Sequence, residues 1–97
     1  SAEVAEMRAA YMSLKKMPAD SVCRAFEKVL TIAPDNVNAR MQLVQMLWNE
    51  KKYDLVSQQC KAAQEYNPEE MGFYYFGIIR KIRKTRRSVS SVSDWRR

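Results

Sequence analysis

An all-α fold assembled from antiparallel helix pairs is what this sequence predicts, and three observations predict it. Pro34 and Pro68 stand 34 residues apart, each directly after a helix-like stretch and before a new start, so that Ala33-Pro34-Asp35-Asn36 aligns with Asn67-Pro68-Glu69-Glu70. Val22, Phe26, Val29 and Leu30 recur at steps of three and four, while Arg24, Glu27 and Lys28 fall on the opposite face, which is the pattern of an amphipathic helix. Finally, the apolar stripe of Leu43, Val44 and Leu47 is separated from that of Val56, Cys60 and Ala63 by the polar break Asn49-Glu50-Lys51-Lys52. Two helices joined by a short turn therefore fill each period.

In chain order, the first helix is expected near 3–16, with Val4, Met7, Ala10, Tyr11 and Leu14 as its apolar positions, breaking at Lys15-Lys16-Met17-Pro18. The second is expected near 18–33, where Pro18 suits an opening turn because its missing N–H would have no helical partner there. The third and fourth span about 37–50 and 53–66, and a fifth about 69–84. Small residues at Ala10, Ala63 and Gly77 are expected to let helix axes approach closely. Phe26, Leu43, Leu47 and the run Phe73-Tyr74-Tyr75-Phe76 should fill the space between layers. The domain boundary falls at 84, leaving 85–97 as a basic Ser/Arg-rich tail or cap.

The chain has 97 residues, which suits one domain. It contains no His, two Gly and two Cys, so a histidine-based active site, a glycine-rich phosphate loop and a four-ligand zinc site lack their parts, and neither catalysis nor a cofactor or metal is expected. No apolar run approaches the roughly 20 residues needed to span a bilayer. A soluble protein is expected, cytoplasmic or, if a signal peptide has been removed, periplasmic. Cys23 and Cys60 read as small buried hydrophobes with free thiols. The formal net charge of +6 is unevenly placed. Residues 1–79 carry nine basic and ten acidic residues, net −1, whereas residues 80–97 carry eight basic residues against Asp94 alone, net +7.

A period of 34 residues carrying helix, turn, helix and a terminal proline resembles the tetratricopeptide repeat. From Val37 to Glu70 the chain has Leu43 at the family's leucine place, Tyr53 opening the second helix, Val56 and Ala63 at small-residue places, and Pro68 at the end. It departs at Arg40, where Trp is usual, at Val44, where Gly or Ala is usual, and at Cys60, where an aromatic is usual. The unit Glu3–Asn36 keeps Ala10, Val22, Phe26, Val29 and Pro34, and a third unit opens around Met71 with Tyr74, Phe76 and Gly77. The resemblance implies a tetratricopeptide-like right-handed stack of antiparallel helix pairs, an α-solenoid, whose function is protein–protein interaction on the concave face. In that register the partner-binding positions are Met7, Tyr11, Asn38, Met41, Gln45, Trp48 and Asn49, with Trp48 as the anchor. The basic residues with which some members grip a terminal carboxylate are replaced here by Met7, Tyr11, Gln42, Gly72 and Phe76.

Three readings of the tail stand side by side. Ile79, Ile82, Val89, Val92 and Trp95 could cover the last apolar face as a cap. Arg80, Lys81, Arg83, Lys84, Arg86 and Arg87 could form a basic arm for phosphates or anionic lipid, although the near-neutral remainder makes nucleic acid an unfavoured partner. A change of reading frame near Gly77 would leave the tail without an evolved role. Because the face of Phe73, Phe76 and Ile79 lacks a following helix, self-association through the C-terminal end is expected slightly ahead of a capped monomer.

Overall fold

The computed structural model describes the backbone of residues 1–95 and the side chains of residues 1–69, 71–72 and 74–85. Its architecture is all-α: α1 (Ala2–Leu14), α2 (Ala19–Ile32), α3 (Val37–Asn49), α4 (Tyr53–Tyr66) and α5 (Pro68–Trp95), with no strand among the described residues. Each helix packs against the next, α1 on α2, α2 on α3, α3 on α4 and α4 on α5. The connections between successive helices are short, and the body measures 52 × 32 × 17 Å, about two helix layers at its thinnest.

The local chemistry explains the boundaries. Ser1 caps α1, its Oγ accepting from the Val4 N–H at 3.4 Å, and Asn36 caps α3, its Oδ1 accepting from the Ala39 N–H at 2.9 Å. Pro68 occupies the first position of α5, where no N–H is required. The C-termini of α1 and α3 close in the same way. The Met17 N–H donates to the Met12 carbonyl and the Lys16 N–H to Ser13, just as Lys52 donates to Leu47 and Lys51 to Trp48. Both turns place a lysine in the left-handed region, Lys16 at φ 54° and Lys51 at φ 60°. A side chain there costs about 1–2 kcal/mol, a strain that glycine avoids. Lys16→Gly and Lys51→Gly are each expected to raise stability by about 0.5–1 kcal/mol, read as a higher urea midpoint, whereas Lys→Ala at the same positions yields no gain.

The core is built by Val22, Phe26, Val29 and Leu30 of α2, Leu43, Val44 and Leu47 of α3, Val56, Cys60 and Ala63 of α4, and Tyr75 and Ile82 of α5, as the periodicity anticipates for α2 to α4. Both cysteines are free and buried. Buried Asn67 ties the second junction to the first, its Nδ2 donating to the Asp35 carbonyl at 3.1 Å.

Helix α1 departs from expectation. Val4, Met7, Tyr11 and Leu14 face solvent, Leu14 at 82% exposure, while Ala9 is fully buried and Ala5 and Met12 pack against the core. Ala10, expected at a close approach, is exposed. The cause lies in the turns. The equivalent left-handed lysines are 35 residues apart, but α2 and α4 begin 34 apart, so the turn before α2 holds one extra residue. One residue rotates a helix by about 100°, so Ala9 takes the place equivalent to buried Val44, and the large apolar side chains swing outward. The same offset governs α5. Tyr75 and Ile82 are buried where Tyr74 and Lys81 would be at a uniform 34, and Gly77, expected at a close approach, has nothing within 4 Å of where a Cβ would stand.

The fifth helix also outruns its expected end at 84. It continues unbroken through 85 to Trp95, spanning about 42 Å against about 21 Å for α4, so its second half projects beyond its neighbour. The cap reading of Val89, Val92 and Trp95 rests on side chains outside the described residues. The side chains of Arg86, Arg87, Val89, Val92, Trp95 and Phe73 lie outside the described set.

Candidate binding groove between α3 and α5

Helices α3 and α5 flank a depression of about 220 Å³ lined by Val44, Gln45 and Trp48 on one side and Tyr74, Ile78 and Lys81 on the other. Each row climbs one helix face at steps of one, three or four residues, so the lining follows from helical geometry. Trp48 is half-buried and braced by Tyr53, with ring centroids 5.0 Å apart and planes at 67°. Tyr74 meets Tyr75 edge-on, with centroids 5.0 Å apart and planes at 84°. Lys81 is the only charged residue among those lining the depression.

Helix α3 also carries a buried polar group that the sequence reading noted only as a departure from family pattern. Arg40 is 4% exposed. Its Nη1 donates to Oε1 of Gln59 at 2.5 Å and its Nη2 to the Pro34 carbonyl at 2.6 Å, while the guanidinium lies 5.9 Å from the centre of the Tyr66 ring. Burial depresses its pKa, an effect partly opposed by the phenols of Tyr75 and Tyr66. Burial also pushes the Tyr75 phenol up to about 12 and the Cys60 thiol up to about 11, and raises that of Cys23. Neither cysteine is thus poised as a thiolate near neutral pH.

Of the expected contact residues, Gln45 and Trp48 line the groove and Met41 is half-buried on the same helix. Asn49 is exposed at the end of α3. Asn38 is engaged elsewhere, its Nδ2 donating at 3.1 Å to Glu6, whose other oxygen accepts from Asn36 Nδ2 at 3.1 Å. Met7 and Tyr11 are exposed on α1 outside this depression, with Lys15 Nζ 5.7 Å from the Tyr11 ring centre. Tyr74 and Ile78 were missed as groove residues. The aromatic run was assigned wholly to the core, and Ile78 was given no role.

The basic residues divide between faces. Lys81 enters the groove, Arg80 and Arg83 flank a different depression between α4 and α5, and Lys84 is exposed. Among the described residues no cluster of His, Cys, Asp or Glu could hold a metal, and no helix is long and apolar enough to cross a membrane. Comparison with known proteins returns no matching family model, curated protein or solved structure.

Proposed function

We propose that this chain is a tetratricopeptide-like interaction module, a short right-handed α-solenoid without catalysis of its own, that holds a peptide or helix from another protein in the groove between α3 and α5. The observation that carries the reading is the groove itself, where a braced, half-buried Trp48 stands opposite Tyr74, Ile78 and Lys81. Two further facts support the repeat reading: α1 and α3 end in the same lysine-bearing turn, and Asn67 bonds back to Asp35 across nearly one period.

A volume of about 220 Å³ is below the range usual for a drug-sized ligand, and suits one large side chain. In this mechanism an apolar residue of the partner inserts beside Trp48 and Ile78. Gln45 supplies donors and an acceptor to its backbone, and Lys81 pairs with a carboxylate at its edge. A peptide selected from a displayed random library against the whole chain tests this. Trp48→Ala is expected to weaken its binding at least thirtyfold, about 2 kcal/mol, and Lys81→Glu to weaken it less and in a salt-dependent way. Unchanged affinity of Trp48→Ala would remove Trp48 as the anchor.

A second reading follows from the exposed Arg80, Lys81, Arg83 and Lys84 on one helix that carries on to Trp95. A phosphate-binding arm there would retain RNA or DNA with an affinity that falls steeply with salt and disappears when residues after Thr85 are deleted.

A further inference from the structure

A second depression, of about 880 Å³, lies between α4 and α5, with Ser57, Lys61 and Gln64 of α4 along one side and Phe76, Ile79, Arg80, Ile82 and Arg83 of α5 along the other. At Phe76 it meets a further hollow of about 520 Å³ formed with Pro68, Glu69 and Gly72. Phe76 is 57% exposed. Helix α5 packs on α4 and continues as helix to Trp95. An apolar floor bordered by polar side chains, running between two helices for about two turns from Ser57 to Gln64 and from Phe76 to Arg83, has the form of a seat for a third helix.

The charges identify what kind of helix fits. Lys61, Arg80 and Arg83 are all exposed on the rim, against Glu69 alone near Phe76. A second copy meeting this face about a twofold axis would bring both sets of cations together across a partly desolvated interface, which opposes self-pairing. A nucleic acid duplex would meet the cations through its phosphates but would leave the apolar floor of Phe76, Ile79 and Ile82 uncovered. We infer that this face is a docking site for an amphipathic helix of another protein, whose apolar stripe covers Phe76 and Ile79 and whose flanks carry carboxylates opposite Lys61, Arg80 and Arg83. The inference is independent of the α3–α5 groove.

Two hydrocarbon-stapled 14-residue peptides test it, identical in their leucine stripe and bearing either glutamates or lysines at every flanking position, titrated against the full chain by fluorescence anisotropy. The glutamate peptide binds at least tenfold tighter than the lysine peptide, and the gap narrows as salt rises. Phe76→Ser, at an exposed position that circular dichroism checks for folding, weakens the glutamate peptide at least tenfold. The double variant Lys61→Glu, Arg83→Glu reverses the preference, and Trp48→Ala leaves both affinities unchanged, which separates this result from that of the groove. Equal affinity for the two peptides, or no saturable binding, would overturn the inference. So would a chain that sediments as a dimer and becomes monomeric on Phe76→Ser, since a second copy would then own the face. An oligonucleotide that binds Lys61 and Arg83 while neither peptide does would overturn it as well.

Discussion

Arg40→Ala is expected to destabilise the chain by about 3 kcal/mol, whereas Arg40→Met should leave it within about 1 kcal/mol of the parent. The difference follows from what Arg40 does. Its side chain is almost wholly buried and fills space beside Tyr66 and Tyr75, while its two terminal nitrogens hold the Pro34 carbonyl and the Gln59 amide. Truncation to alanine opens a cavity and strips two acceptors of their donor. Methionine restores most of the volume and removes a charge whose desolvation is not repaid by an ion pair, because among the described residues no carboxylate pairs with Arg40. Arg40→Lys should fall between the two, since an ammonium cannot bridge both acceptors in the planar fork geometry. Urea unfolding of the three variants checks the order. An alanine variant as stable as the methionine one would show that the filled volume contributes nothing.

Alkaline pH should destabilise the protein through its buried thiol and phenol. The Cys60 thiol, fully buried, is raised from 9.0 to about 11, and the Tyr75 phenol, 1% exposed, from 10.0 to about 12. An acid whose folded pKa lies above its unfolded one contributes stability that is complete below the unfolded value and disappears as pH rises through the folded one. Stability should therefore hold up to about pH 9, fall by about 2–3 kcal/mol by pH 11 as Cys60 ionises, and fall by a similar amount through pH 12 as Tyr75 does. Arg40 works the other way, because burial lowers its pKa and so penalises its charged form in the folded state. Against a total of about 5–15 kcal/mol such losses are large. Urea midpoints at pH 8, 10 and 11 measure them, and Cys60→Ala should flatten the segment between pH 9 and 11. A parent midpoint unchanged from pH 8 to 11 would contradict the burial of Cys60.

How far the sequence could be read depended on what each residue signals. Helices α2, α3 and α4 were legible because their large apolar residues, Phe26, Leu43, Leu47 and Val56 among them, are also their buried ones. In α1 that equivalence fails. Three small or flexible residues, Ala5, Ala9 and Met12, face the core, and the bulkier Val4, Met7, Tyr11 and Leu14 do not, so a reading by hydrophobicity selects the wrong face. A uniform period of 34 reinforced the error by hiding the extra residue in the first turn. Aligning Lys16 with Lys51, both in left-handed turns, places Ala9 over Val44 and corrects it.

The groove was half legible. Gln45 and Trp48 were found from one helix alone, because their positions on α3 follow from its own periodicity. Tyr74 and Ile78 depend on the rotation of α5, which is set by its burial of Tyr75 and Ile82 and by nothing local to the groove. The tail resisted reading for a related reason: its serines and arginines contain neither a strong stop nor an apolar stripe sufficient to choose between cap and arm, and the backbone simply continues as helix to Trp95.

Mapping amide and side-chain chemical shifts while the library-selected peptide is added tests the central claim, that the groove between α3 and α5 receives the partner. The account predicts that the largest changes fall on Val44, Gln45, Trp48, Tyr74, Ile78 and Lys81, including the Trp48 indole N–H. Changes concentrated instead on the exposed stripe of Val4, Met7, Tyr11 and Leu14, with the groove undisturbed, would contradict it.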